Sequence, residues 1–276
     1  MKLFNRRVRL VIGANGEGLS VSGLDITFDV KKSLKPEPNV ATIEVRNLTE
    51  DHRKSFETSE TLGVELHAGY EGGMSLIYLG EMRAAVTSRE GPDLVTTIHS
   101  GDKHAMFAGK HIRVPLGEQT NAKVALEQLV KAMKAAGVGE GAALYEVLAG
   151  ELEQKVLFPS GGVLSGNAST LLSSLCRSVG IEWSVQNGKL QFLKLGETDE
   201  EAFELGPDTG LIGKVEISNK GYVKATSLLI PGVKCGTKVT FSTETALVGG
   251  YRIEKIRYHG ATFSKEWYCS IEAKAY

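Results

Sequence analysis

The residue types that could do chemistry are few, and their spacing is loose. Of the six histidines, His99, His104 and His111 fall within HSGDKHAMFAGKH, and Asp102 lies among them. An imidazole beside a carboxylate is the pairing that a general base or a metal centre uses. A metal centre needs its ligands converging on one face, and these spacings match neither a zinc signature nor a facial triad. Strand ends and a loop explain the histidines equally well, so Asp102, His104 and His111 are the one region worth testing for hydrolysis. The three cysteines, Cys176, Cys235 and Cys269, are scattered and form no C-x-x-C pair. They read as small buried hydrophobes, with neither a disulfide framework nor a zinc site indicated. GANGEG and GVGEG are glycine-rich but lack the strand-to-helix context of a phosphate cradle. Walker, HExxH and GxSxG patterns are absent. The sequence therefore predicts no catalytic residue, no metal and no cofactor.

Composition narrows the classes further. The chain has 276 residues, 42% hydrophobic and 24% charged, and a formal net charge of -1. That is an ordinary globular balance, with no whole-chain pull toward nucleic acid or membrane. MKLFNRRVRLVIGANG is basic, but Arg9 breaks its short apolar run, so no signal peptide is expected. No run of about 18 apolar residues predicts a membrane segment. Synthesis and first assembly in the cytoplasm are the expectation. The first 35 residues nonetheless carry seven positive and three negative charges, through Arg6, Arg7, Arg9, Lys31, Lys32 and Lys35 among others. With only Phe4 and Phe28 nearby to stack on bases, this reads as a contact surface for an acidic protein partner, or as a solvated edge.

The elements that would position these groups are mostly strands. Val8, Leu10 and Ile12 alternate, as do Ile26, Phe28 and Val30, then Ala41, Ile43 and Val45. LGVELHAGY and SLIYLGEM read as a hairpin around EGG, and AAVTSRE and DLVTTIHS as another around GPD. About seven or eight short strands precede residue 105, the pattern of a sandwich or barrel. The period then changes. TNAKVALEQLVKAMKAAGVG carries a helical stripe of Val124, Leu126, Leu129, Val130 and Met133, with Thr120 or Asn121 as cap and Gly137 just past its end. NASTLLSSLCRSVG predicts a second helix, capped by Asn167 and stopped by Gly180. IEWSVQNGKLQFLKL follows as a hairpin, with Asn187-Gly188 in a type I′ turn. Six acids between Glu197 and Asp208 mark a solvated linker. Strands then return to the end, where Trp267, Cys269, Ile271 and Ala273 share one face. The fold class is mainly β with an α+β insertion. Three domains are expected: a β-barrel or sandwich at 1–108, the insertion at 109–200, and a second β-domain at 201–276.

One connection stands out. KSLKPEPNVATIEVRNL joins two good strands through Pro36, Pro38 and Asn39. Proline cannot donate to a ladder, so this bend protrudes from the sheet as a stiff loop.

The order of motifs carries more information than any single residue. ITFDVKKS (26–33), PNVATIEVRNL (38–48), VELHAGYEG (64–72), IYLGEM (77–82) and Thr97 to Asp102 come first. SGNASTLLSSLCRSVGIEWSVQNGKLQFLKLGE follows, then SLLIPGVKCGTKVTFST, GGYRIEKIRYHG and EWYCSIEA. Across nearly the whole chain this succession resembles the baseplate hub proteins of phage tails, whose relatives serve in bacteriocin-like particles and type VI secretion spikes. The resemblance implies two tail-tube-like β-barrels per subunit and a homotrimer closing into a ring of pseudo-six-fold symmetry. Such a ring joins the hexameric tail tube protein to a trimeric spike or central tail-tip protein, beside other baseplate proteins. Its lumen passes DNA without sequence-specific binding, and its place is the tail of the virion, after assembly in the host cytoplasm. No lysozyme-like insert or peptidoglycan-binding segment accompanies the motifs, which argues against a cell-wall-degrading activity. Under this resemblance the candidate assembly interface is Lys35, Pro36, Glu37, Pro38 and Asn39, together with Pro231 and Gly232. The competing reading is a β-sandwich carbohydrate-binding or hydrolytic, cell-wall-directed protein with a helical insertion.

Overall fold

A computed structural model describes residues 5–14, 17–58, 62–101, 111–135, 155–198, 202–218, 221–242 and 249–275. The first stretch of chain carries β1 (Arg6–Ala14), β2 (Glu17–Val21), β3 (Ile26–Ser33), β4 (Val40–Arg46), helix α1 (Glu50–Thr58), β5 (Gly63–Tyr70), β6 (Gly73–Glu90) and β7 (Asp93–Gly101). The middle carries β8 (His111–Leu116), β9 (Thr120–Asn121), α2 (Ala122–Ala135), β10 (Val156–Phe158), β11 (Gly162–Asn167), α3 (Ala168–Ser178), β12 (Ile181–Gln186) and β13 (Lys189–Lys194). The last stretch carries β14 (Ala202–Leu205), a 3₁₀ turn at Pro207–Thr209, β15 (Leu211–Ile217), β16 (Tyr222–Leu228), β17 (Lys238–Phe241), β18 (Tyr251–Ala261) and β19 (Trp267–Ala275).

The chain forms two compact units. The first comprises Met1–Ser33, Asn39–Asp102 and Asp199–Tyr276. Its strands make one sheet in the order β2-β1-β5-β6-β7-β4-β3-β18-β19-β16-β15, antiparallel between neighbours, with β17 beside β18 and β14 parallel to β17. The β regions before and after the insertion therefore meet at a seam where β3 pairs with β18. Period-two alternation builds the core: Ile26, Phe28 and Val30 of β3, Ala41, Ile43 and Val45 of β4, and Trp267, Cys269, Ile271 and Ala273 of β19 are all buried. The indole of Trp267 is edge-on to Phe28 at 5.6 Å and to Tyr70 at 6.2 Å. Gly260 makes room for it, because a Cβ there would stand 2.7 Å from Phe28 Cζ and 2.8 Å from Trp267 Cε3. Arg6 of β1 closes the site, its guanidinium 5.5 Å from the indole centre while donating to the carbonyls of Ser264, Lys265 and Glu266 at 2.6, 3.2 and 3.4 Å.

Three features depart from the sequence expectation. The strands expected at SLIYLGEM and AAVTSRE are one strand, β6, whose pairing with β7 shifts register between Met82 and Ala84. Helix α1 interrupts what reads as strands; its first turn carries Glu50 and Asp51, and Glu50 pairs with Lys54 at 2.6 Å. Part of the acidic linker is β14, which pairs with β17 and turns Phe203 and Leu205 to one face and the exposed Glu204 to the other.

The second unit comprises Leu34–Pro38 and Lys103–Thr198. Asn121 caps α2 by accepting from Val124 N at 2.9 Å, and Asn167 caps α3 by accepting from Ser169 N and Thr170 N at 3.1 and 3.3 Å. Gly137 lies outside the described residues. Leu126, Leu129 and Met133 of α2 and Leu172, Leu175 and Cys176 of α3 pack with Trp183, Val185, Leu190 and Phe192 of the β12–β13 hairpin. That hairpin turns on Asn187 and Gly188, with φ of 50° and 73°. Two short ladders, β8–β11 and β9–β10, also belong to the unit.

Candidate functional site

The residues of β3, β18, β19 and β16 that turn away from the core carry charge. Lys31 sits opposite Arg257, which sits opposite Ser270; Lys255 sits opposite Glu272, which sits opposite Lys224. A bulge at Glu254 makes this possible. The β18–β19 register steps from Ile253↔Ala273 to Lys255↔Glu272, so Glu254 is the extra residue and the strand changes phase. Arg252 is thereby buried against Glu254 Oε1 at 2.6 and 2.8 Å, whereas Lys255 and Arg257 face outward.

These groups line a cleft of about 470 Å³ that also takes in Lys214 and Glu216 of β15. Arg257 grips Asp29 with two hydrogen bonds, Nε to Oδ1 at 2.7 Å and Nη2 to Oδ2 at 2.8 Å, which raises the pKa of the guanidinium. Lys31 stands at 3.8 Å from the same carboxylate. Lys255 and Lys224 share Glu272 at 3.0 and 3.7 Å, and the hydrogen bond from Lys255 is the main cause of a carboxyl held below its usual range. Lys214, Lys224, Lys255, Arg257 and Lys31 thus face Asp29, Glu216 and Glu272, leaving cations in excess. The arrangement is suited to recognising negative charge.

The sequence-based candidates are spread over the fold. His99 is exposed on β7 in the first unit, and His111 is exposed on β8 in the second. Asp102 and His104 lie outside the described residues. Among the described residues, no three His, Cys, Asp or Glu side chains converge as a metal site would require. Lys35, Pro36 and Glu37 are exposed at the tip of the β3–β4 connection, and Pro38 is half-buried. Asn39 is buried, and its Oδ1 accepts from Ser33 N at 2.9 Å, which braces the base of that loop. Leu34, at the start of the loop, shares a small cleft with Trp183 and Leu193 within the second unit. Pro231 is half-buried, its Cγ 3.0 Å from where a Cβ on Gly69 would lie, and Gly232 beside it is exposed with φ +95°. The N-terminal basic cluster divides: Arg6 braces the Trp267 turn, Arg7 pairs with Glu71 at 3.5 Å, and Lys31 joins the cleft. Lys32 points inward, donating to the Ile77 carbonyl at 3.4 Å.

The remaining cleft residues escape sequence reasoning because each is an ordinary polar position on an alternating strand. The one signal is the spacing of Ile253 and Ile256, which breaks strict alternation at the bulge.

No family model matches the sequence, and no curated protein sequence matches it. Solved structures do match in fold. The 43 kDa tail protein of prophage MuSo2 from Shewanella oneidensis superposes with a TM-score of 0.63 at 13% identity, over 96% of this chain and 97% of its own. A tail protein from Neisseria meningitidis MC58 gives 0.64 at 8% identity, over 98% and 97%. A type VI secretion component of E. coli, described as structurally similar to the T4 tail proteins gp27 and gp5, gives 0.57 at 12% identity, over 97% and 76%. The mainly-β fold with its α+β insertion is thus shared, over nearly the whole of this chain, with tail proteins and a type VI secretion component.

Proposed function

We propose that this chain, folded as phage tail proteins are, is a structural hub subunit at the tip of a phage or phage-like tail. Three copies close into a ring of pseudo-six-fold symmetry, with residues 1–108 and 201–276 as the two tube-like parts and 109–200 as the insertion. One side of the ring continues the hexameric tube, the other seats the trimeric spike, and DNA passes through the lumen at ejection. The protein is then a virion tail component that works by assembly and not by catalysis.

The observation that supports this most is the end-to-end fold match, 96% and 98% of this chain against two tail proteins. The sheet fits the role. Among the described residues its path ends at β2 and β15, whose outer edges have no partner strand. Open edges invite pairing with another chain, and a heterologous contact that closes on itself fixes the copy number. The exposed tip Lys35, Pro36 and Glu37, with Pro38, Asn39 and the Pro231-Gly232 turn, are the proposed rim contacts to neighbouring subunits. Prolines there reduce the entropy lost on ordering a protruding loop.

Light scattering on the purified chain, alone and with tube and spike proteins, tests the reading. The expected result is a mass three times that of the chain, or incorporation into tail tips seen by electron microscopy. A monomer at every concentration that joins neither tube nor spike would sink it.

A further inference from the structure

We propose that the cleft on the outward face of β16, β19, β18 and β3 binds a small phosphate-bearing anion, held by a row of donors that crosses all four strands. The site belongs to a single subunit and is independent of the ring reading above.

Strand register divides the cleft lining into two rows, two residues apart along each strand. In one row Glu216, Lys224, Glu272 and Lys255 stand side by side on β15, β16, β19 and β18. Charge alternates along it, and Glu272 holds Lys255 at 3.0 Å and Lys224 at 3.7 Å. That row neutralises itself. The next row is Thr226, Ser270, Arg257 and Lys31, on β16, β19, β18 and β3. Every member can donate a hydrogen bond, and none carries a negative charge.

Much of this donor capacity is unused. Among the described residues, the hydroxyls of Thr226 and Ser270 have no hydrogen-bond partner. Arg257 gives Nε and Nη2 to Asp29, which leaves Nη1 without an acceptor among the described residues. Lys31 only approaches the same carboxylate, at 3.8 Å. Lys214 lies between Ile212 and Glu216, where the β15–β16 register shifts, and it also lines the cleft. It is exposed and has no ion-pair partner among the described residues. Strand order sets Lys214 and Lys31 at opposite ends of the row.

Two hydroxyls between a guanidinium and two ammonium groups suit a phosphate. Its three or more strongly accepting oxygens take bonds from several directions, where a carboxylate offers only two. Neighbouring strands lie about 4.8 Å apart, so the row is about 14 Å long. One phosphate reaches only adjacent members, and two linked phosphates engage more of them. The cleft volume of about 470 Å³ falls within the roughly 300–1,000 Å³ of small-molecule sites. Nucleic acid is the weaker fit. The lining offers no aromatic ring on which a base could stack. A long phosphate backbone would also run past the row, which Asp29, Glu216 and Glu272 border.

The test is calorimetric titration of the full chain with sodium diphosphate at constant ionic strength, beside sodium phosphate, citrate and a short DNA duplex. Diphosphate is expected to bind below about 1 mM and more tightly than phosphate or citrate. K31Q/K214Q is expected to weaken it about tenfold or more, the scale of charged hydrogen bonds lost, and T226V/S270A about three- to tenfold. Lys224→Gln, in the alternating row, is expected to change it less than about threefold. No heat and no rise in melting temperature with several millimolar diphosphate overturns the proposal. So does a Lys224→Gln loss as large as that of K31Q/K214Q, which would show a diffuse field and no built site. Citrate binding as tightly as diphosphate overturns the choice of phosphate. A duplex that binds more tightly than diphosphate, and loses affinity in K31Q/K214Q, overturns it in favour of a nucleic-acid surface. Thermal melts check folding, and if K31Q/K214Q unfolds, Lys214→Gln and Ser270→Ala singly make the comparison with a smaller expected loss. Light scattering reads the ring separately, so a failed titration leaves that reading intact.

Discussion

Strands β3, β18 and β19 present two faces that could hardly differ more. Inward stand Phe28, Val30, Ile256, Tyr258, Trp267 and Ile271, all buried. Outward, often one residue away, stand Asp29, Lys31, Arg257, Ser270 and Glu272, none of them buried. The inward face gains its energy from apolar area removed from water, at roughly 25 cal/mol per Å². The outward face gains little, because exposed ion pairs contribute about 0–1 kcal/mol each. One backbone therefore separates two tasks. Folding rests on the inner face, and stability places little constraint on the outer one.

Substitutions on the two faces should separate stability from assembly. The largest effect is expected from Trp267→Ala, which empties the space between Phe28 and Tyr70. Chemical denaturation should show a loss of about 3–5 kcal/mol. An outcome near zero would break the comparison. Gly260→Ala adds a Cβ against Phe28 and Trp267, and the same measurement should show a loss of about 1–3 kcal/mol from overpacking. Outward changes should be smaller. Asp29→Asn, which loosens Arg257 and Lys31, should cost no more than about 1 kcal/mol of stability in a thermal melt, whatever it does to association.

The smallest effect concerns pH. The pKa of Glu272 is lowered, chiefly by the hydrogen bond from Lys255, relative to its ordinary 4.5. A depressed carboxyl contributes stability above its ordinary pKa and loses it as pH falls through the lowered value. Glu272→Gln should thus be slightly less stable than the wild type at neutral pH. The two should converge in melts performed progressively below the ordinary carboxylate range. The core has its own pH-related signature. Burial pushes the thiols of Cys235 and Cys269 up to about 12, so iodoacetamide at pH 8 should label them only as fast as the chain unfolds.

The inner face was legible in the sequence, and the outer face was not. Ile26, Phe28, Val30 and the Trp267 to Ala273 series announce a core by alternation alone. The two helix caps, Asn121 and Asn167, and the Asn187-Gly188 turn are equally local, and all are found where local chemistry puts them. The cleft depends on what is not local. Lys31, Lys224, Arg257 and Glu272 come together through a strand order that no short window encodes, and through a bulge at Glu254 that decides which side chains face out. Strand β14 is only four residues long, and the alternation of Phe203 and Leu205 is hidden among the acids that surround it. Helix α1 was missed because its polar residues have no clear apolar stripe.

The seam between β3 and β18 also has a consequence in time. Asp29 and its partner Arg257 are 228 residues apart in sequence. At ribosomal rates of about 5–20 residues per second, β3 is made roughly 10–45 s before β18 can cover it. During that interval the chain carries an open strand edge bearing Lys31, and edge lysines discourage unwanted pairing with other chains. The same cation that lines a finished surface thus stands guard over an unfinished one while the nascent polypeptide waits for its own C-terminal strands.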